Sequence, residues 1–366
     1  MLELVIDKLL RRREEILRRI EELALGEGLG ELVKWLPLPP TQGGCLVGVD
    51  GGMNLKEYKD FAIYAVDAEA VAAEEEGLVP IAKAADVDVI FPYWLPRERV
   101  RLYMATLEAK CAIKALTEVS DSVAALDGSL ISVFVRPVPY TELMARSRFS
   151  SRIMSDYLPL FEESAERGEV ELRAKEAVAE VLESAKDVQD AQTTALFLEY
   201  LEYLAAFREL VRGFGTRVVA VAKRSHSREI FRRSIPDMTI VERLTRGTGY
   251  FCKVEPRALA DAKWRLPAYR DELGALSFTV IYARLENETS VLKIELVGDA
   301  DESTIRRVLG LLRKHSVNGY PYPLTRAHRD VEITSADIET LARALRLHWA
   351  KTGREHLGRR KRAALY

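Results

Sequence analysis

Cysteine is scarce in this chain of 366 residues: Cys45, Cys111 and Cys252 stand far apart, without a CxxC spacing. An odd, scattered set excludes a disulfide framework and reads as small buried hydrophobes in a reducing compartment. Long apolar runs are missing too. None approaches the roughly 18 residues that a membrane span needs, so no membrane partner is expected. The stretch from Met1 to Leu25 is charged throughout and has no signal-peptide core, which places the protein in the cytoplasm. Net charge of one sign is also lacking. At −2 the chain carries no global signature of a nucleic-acid binder, so any such surface must be local. Internal repeats and low-complexity segments are absent, and Asn and Gln are few against abundant Glu, Lys and Arg, a composition that fits a thermophile.

What is present is enough for a large core: 48% hydrophobic and 30% charged residues describe a soluble globular protein. The length suits one elaborated α/β domain with an insertion and terminal extensions. Basic residues cluster at Arg11-Arg12-Arg13 with Arg18-Arg19, at Lys223-Arg224 through Arg232-Arg233, and at Arg359-Arg360-Lys361-Arg362. Each cluster alone also fits a solvated helix face or tail.

An amphipathic helix is expected over residues 2 to 25, with Leu2, Val5, Ile6, Leu9, Leu10, Ile16, Ile20 and Leu23 on one stripe. A proline-bearing linker, 26 to 44, closes an N-terminal segment of residues 1–44. The first core segment, 45–140, should hold a strand ending at Asp50, a second at Phe61–Val66, and a third ending near Val87–Phe91, joined as hairpins around the turn Glu74–Gly77. A helix from Pro96 to about Val119 follows, and a fourth strand ends at Asp127. Residues 141–215 read as an inserted helical layer, including Lys175–Ser184 and Ala191–Leu210 and closed by Gly213-Phe214-Gly215. The second core segment, 216–333, should hold strands at Val218–Ala222, Phe251–Val254, Leu276–Ile281 and Ser290–Leu296, a helix at Glu302–Lys314 and a loop with Gly319, Pro321 and Pro323. A last helix from about Ser335 and a basic tail fill 334–366.

Two stretches share one design. Cys45-Leu-Val-Gly-Val runs into Asp50-Gly51-Gly52, and Val123-Ala-Ala-Leu runs into Asp127-Gly128-Ser129. Each is an apolar strand that presents a carboxylate, followed by glycine where the backbone turns sharply or admits a close neighbour. On the helix between them, Glu108 lies four residues after Met104 and three before Cys111, beside the stripe that faces the sheet. Such a glutamate is costly unless paired or bound to a cation, although a boundary glutamate reaching solvent or an arginine is the alternative. Glu118 and Asp121 are the other acids nearby.

The order strand, strand, strand, helix, strand, helical region, strand is that of the ribonuclease H-like mixed sheet. In that topology the first and fourth strands lie side by side and parallel, so Asp50 and Asp127 become neighbours with Glu108 leaning over them. Carboxylates that close repel, and divalent cations relieve the repulsion. Oxygen donors suit Mg²⁺ or Mn²⁺, and two such ions about 3.5–4 Å apart can activate water and stabilise the leaving oxygen of a phosphodiester.

With Val49-Asp50-Gly51, the helix glutamate, Leu126-Asp127-Gly128-Ser129-Leu130, Lys223 with Ser225 at the fifth strand, and Tyr320-Pro321 through Ala327-His328, the sequence closely resembles the NurA nucleases from about Gly48 to Asp330. The order and strand-end settings of these elements carry the resemblance, since no single one is specific. It implies Asp50, Glu108, Asp127 and His328 as manganese ligands, Tyr320 and His328 as the family's paired tyrosine and histidine, and Lys223 as the cation that meets a phosphate. Ser225 and His226 sit close by. It further implies a 5′ to 3′ exonuclease and single-strand endonuclease in DNA end resection, acting on single strands and duplex ends, forming a homodimer and docking on the hexameric ATPase HerA. The terminal helices and the helical insertion would supply those contacts. Three rivals compete: an actin-like ATPase with Asp-Gly phosphate turns, a proofreading-type exonuclease, which would want Asp-x-Glu where Asp50-Gly-Gly stands, and a non-catalytic scaffold for the translocase.

Overall fold

The computed structural model describes residues 2–22, 29–58, 61–131, 150–183, 185, 187–255 and 266–345. The expected N-terminal helix forms as two, α1 (Leu2–Arg11) and α2 (Arg13–Glu22), interrupted at Arg12. Leu2, Leu4, Val5, Ile6, Leu9 and Leu10 of α1 and Leu17 of α2 are exposed.

The core begins as an antiparallel meander of β1 (Leu46–Glu57), β2 (Ala62–Glu74) and β3 (Gly77–Ile90), turning at the acidic stretch before Gly77. Helix α3 (Pro96–Glu118) opens with proline at its first position, where the missing N–H costs nothing, and leads into β4 (Val123–Asp127). A helical layer follows: α4 (Ser150–Glu166), α5 (Ala174–Leu182) and α6 (Val188–Phe214). The first part of the expected helical region, 141–149, lies outside the described residues, as does the basic run Arg359–Arg362. Next come β5 (Val218–Ala222), α7 (Asp237–Leu244), β6 (Gly249–Glu255), α8 (Arg270–Gly274), β7 (Phe278–Arg284) and β8 (Leu292–Val297). The described chain ends with α9 (Glu302–Lys314), the short pair β9 (Ser316–Val317) and β10 (Tyr320–Pro321), α10 (Tyr322–Asp330) and α11 (Ser335–Ala344).

The strands join in one eight-stranded sheet ordered β3-β2-β1-β4-β5-β8-β7-β6, with β1, β4 and β5 parallel at its centre. The first five positions are the ribonuclease H-like arrangement, and the three antiparallel strands on the far side extend it. Helical layers cover both faces, so β5 and β8 are buried along their length, β5 with apolar residues alone. On one face Val47, Val49, Ala124 and Ala220 pack in the same core as α3 and α6; on the other, Leu46, Val123, Ala125 and Val219 pack with α9 and Leu324 of α10. Cys111 is buried, Cys45 and Cys252 are half-buried, and all three are free thiols.

Two expectations need correction. Gly51-Gly52 makes no turn: β1 continues through both glycines to Glu57, pairing with β2 the whole way. The segment from Tyr320 to His328 is no loop either, but a two-residue strand followed by a helix. Its prolines fall at that helix's start, with Pro321 as the capping residue and Pro323 in the first turn.

Candidate metal centre

The parallel ladder between β1 and β4 runs in register from Leu46 with Val123 to Val49 with Leu126. The next residues along are Asp50 and Asp127, so register alone brings the two aspartates to the same level. Side chains alternate across a strand, so both project from the face that holds α9 and α10. There β4 ends while β1 continues, so Asp50 sits at the end of the parallel ladder rather than of its strand.

The glycines around Asp50 are sites of close approach. Gly48, Asp50 and Gly52 share a face. A Cβ on Gly48 would lie 2.3 Å from the Pro323 carbonyl carbon, and one on Gly52 would lie 1.6 Å from the Val331 carbonyl oxygen. Both ends of α10 therefore press directly on the β1 backbone, and the side chain left between them is Asp50. Its Oδ2 meets His328 Nδ1 at 2.7 Å. On the opposite face, a Cβ on Gly51 would lie 2.7 Å from Met104 Cγ and 2.8 Å from Glu108 Oε1, so this glycine admits α3.

Asp50, Asp127 and His328 each offer a ligand atom within 4.8 Å of the others. Asp50 is buried, Asp127 half-buried and His328 exposed, so the group opens to solvent through the histidine. Glu108 is half-buried beside this set and senses it. Burial first, then the charges of Asp50 and Asp127, push its carboxyl up to about 8. The Asp50 carboxyl is also raised, by burial and then by Asp127, against the opposing hydrogen bond from His328. Acids whose charges raise one another's pKa are relieved when a divalent cation binds among them. Carboxylate oxygens with one imidazole form a donor set that fits Mn²⁺ or Mg²⁺.

Lys223 follows the last residue of β5, places Nζ 3.1 Å from Asp127 Oδ2, and stands 4.1 Å from the centroid of the Tyr320 ring. Tyr320 is buried beneath it, its hydroxyl 3.5 Å from the Val221 carbonyl; burial and then Asp127 raise the phenol well above its ordinary range. The other candidates fall away from the centre. Glu118 is exposed at the end of α3, and Asp121 pairs with Arg307 at 2.5 Å before β4 begins. Ser225 accepts from the Ser227 N–H at 3.2 Å within its own loop, and His226 is exposed.

Two acids were missed from sequence. Register sets Glu69 of β2 opposite Asp50 and Asp67 opposite Gly52, on the same face. Glu69 pairs with Lys83 at 2.9 Å, and burial drives the Asp67 carboxyl up to about 6. The signal was available: Asp67-Ala-Glu69 interrupts an otherwise apolar strand.

A ribonuclease H-like sheet that gathers two aspartates and a histidine within reach of one cation defines a class, the α/β proteins with a divalent-metal site at the end of the central parallel pair. Within it, the chain belongs to the NurA domain family, whose pattern it matches over residues 46–333. It is similar to the DNA double-strand break repair nuclease NurA of Sulfurisphaera tokodaii, 28% identical over 95% of this chain and 96% of that one. The crystal structure of the NurA nuclease from Sulfolobus solfataricus shares the fold, with a TM-score of 0.72 at 21% identity over 95% of this chain and 98% of that one. So does a crystal structure of NurA with manganese, with a TM-score of 0.71 at 19% identity over 92% and 98%. Among the described residues, no helix is long and apolar enough to cross a membrane.

Proposed function

We propose that this protein is a metal-dependent DNA nuclease that hydrolyses phosphodiesters with Asp50, Glu108, Asp127 and His328 as its metal-holding residues. The observation that carries the reading is the convergence of Asp50, Asp127 and His328 ligand atoms within 4.8 Å, from segments far apart in the chain. The names of the relatives, a repair nuclease and a manganese-bound NurA, support it. When bound, Mn²⁺ or Mg²⁺, as one ion or a pair, polarises the scissile phosphate and makes water more acidic.

The chain's own residues do the rest. Asp50 and Asp127 supply negative oxygens from adjacent strands, and Glu108 gives up its proton as positive charge arrives. His328 is held at Asp50 by α10 and completes the donor set from the solvent side. Lys223, steered by Asp127 and the Tyr320 ring, offers an ammonium to the phosphate as its charge develops. The basic run from Lys223 to Arg233 extends from this point and suits a DNA strand. The wider assignment is a cytoplasmic, homodimeric enzyme of end resection with 5′ to 3′ polarity on single strands and duplex ends, working with a HerA-type hexameric ATPase through its exposed helices.

End-labelled single- and double-stranded DNA, incubated with Mn²⁺ or Mg²⁺ and with or without the hexameric ATPase, tests this reading. The parent should cut and Asp50→Ala should not. Equal cleavage by both would assign the activity to a contaminant.

A further inference from the structure

Asp127 reaches the site at the start of a turn that is pinned twice. The Gly128 N–H donates to the Val221 carbonyl of β5 at 3.1 Å, and Gly128 adopts φ 114°, a conformation glycine adopts without strain. Beyond it, Ser129 Oγ lies 2.9 Å from both carboxylate oxygens of Glu295, and the Ile131 N–H donates to Glu295 Oε2 at 3.2 Å. Glu295 stands on β8, two strands from β4 in the sheet. The β5 residues opposite Lys293 and Glu295 are Ala222 and Ala220, small enough to let the turn cross β5 and reach β8.

Glu295 is 1% exposed, and its Oε1 is 2.7 Å from Nζ of Lys293, itself 6% exposed. A buried lysine–glutamate pair in the middle of an apolar strand is a poor stabiliser, since well-packed hydrophobic residues would serve at least as well. Among the described residues, its other hydrogen bonds run to Ser129 and Ile131, at and just beyond the Asp127 turn. We propose that Glu295, held by Lys293, is a positioning residue that fixes the Asp127–Gly128–Ser129 turn so that the Asp127 carboxylate stays in place for a divalent cation. This rests on the reading of Asp50, Asp127 and His328 as a metal site.

The test is Mn²⁺ affinity by titration calorimetry on the full chain, with the melting temperature of the metal-free protein recorded beside it. Ser129→Ala removes the hydroxyl without stranding a buried charge, and Glu295→Gln keeps the shape while weakening the clamp. Each should weaken Mn²⁺ binding about 10-fold, and Ser129→Thr should restore it. Glu202→Gln, at the buried pair with Lys110 away from the turn, should lower the melting temperature and leave Mn²⁺ affinity unchanged. The clamp is overturned if Ser129→Ala and Glu295→Gln both bind Mn²⁺ within about threefold of the parent, or if Glu202→Gln weakens binding as much as they do. A parent that takes up no Mn²⁺ overturns the metal site itself, a failure seen before any variant is compared.

Discussion

Helix α3 buries charge in two different ways. Toward the helical layer, α3 presents Arg99 to Glu199 of α6 at 2.5 Å, with Tyr103 on the same carboxylate and the Phe91 and Pro92 carbonyls taking further guanidinium N–H groups. Three turns on from Arg99, Lys110 meets Glu202 at 2.6 Å, with Ser164 and the Glu171 carbonyl completing its shell. The same helix brings Glu108 toward the sheet, where the charges it senses are those of Asp50 and Asp127. Where a fold needs buried charge only to dock one layer on another, it neutralises that charge with its own residues. Where acids crowd together, as Asp50, Asp127 and Glu108 do beside one lysine and one histidine, a divalent cation from solution is the partner the cluster suits.

The widest break in this comparison is at the centre. Replacing Asp50 or Asp127 with asparagine should reduce DNA cleavage at least about 100-fold, as loss of a group aimed at developing charge commonly does, yet leave the melting temperature equal or higher because like charges are removed. Cleavage of labelled DNA and a thermal melt read both halves. The mirror experiment is Glu199→Ala, which strands Arg99 in a dry site and should cost about 3–5 kcal/mol in urea unfolding, without altering Mn²⁺ affinity in whatever fraction stays folded. A smaller effect separates binding from chemistry: Lys223→Met should slow cleavage about 10-fold with Mn²⁺ affinity unchanged, because its ammonium pairs with Asp127 from outside the donor set.

The smallest effect is in pH. The Glu108 carboxyl rises from an ordinary 4.5 to about 8 in the fold, so between those values the folded, metal-free protein holds more protons than the unfolded chain. Its stability therefore falls as pH rises through that window. A divalent cation replaces the proton, so the Mn²⁺-induced rise in melting temperature should be larger at pH about 8 than at pH about 6. Glu108→Gln should flatten the metal-free decline. A metal-induced shift that shrinks as pH rises would show that these acids do not hold the ion.

Much of this was legible in sequence where local pattern and fold agree. The apolar runs into Asp50 and Asp127, the proline opening α3 and the glutamate at the edge of its stripe needed only periodicity and capping chemistry. What escaped was set by tertiary contact. Gly51-Gly52 reads as a turn, but the need for glycine comes from α3 on one face and the Val331 carbonyl on the other, neither visible from β1 itself. Tyr320 to His328 reads as a proline-stiffened loop because the same prolines serve at the start of a helix. Glu69 and Glu295 drew no notice in the sequence, since only strand register and a turn crossing β5 reveal whom they face.

Crystals soaked in Mn²⁺ and measured for anomalous scattering put the shared site to the test. A peak bounded by Asp50, Asp127 and His328, with Glu108 turned toward it, is the expected result. Manganese bound elsewhere, with Asp50 still on His328 and Asp127 still on Lys223, would contradict it.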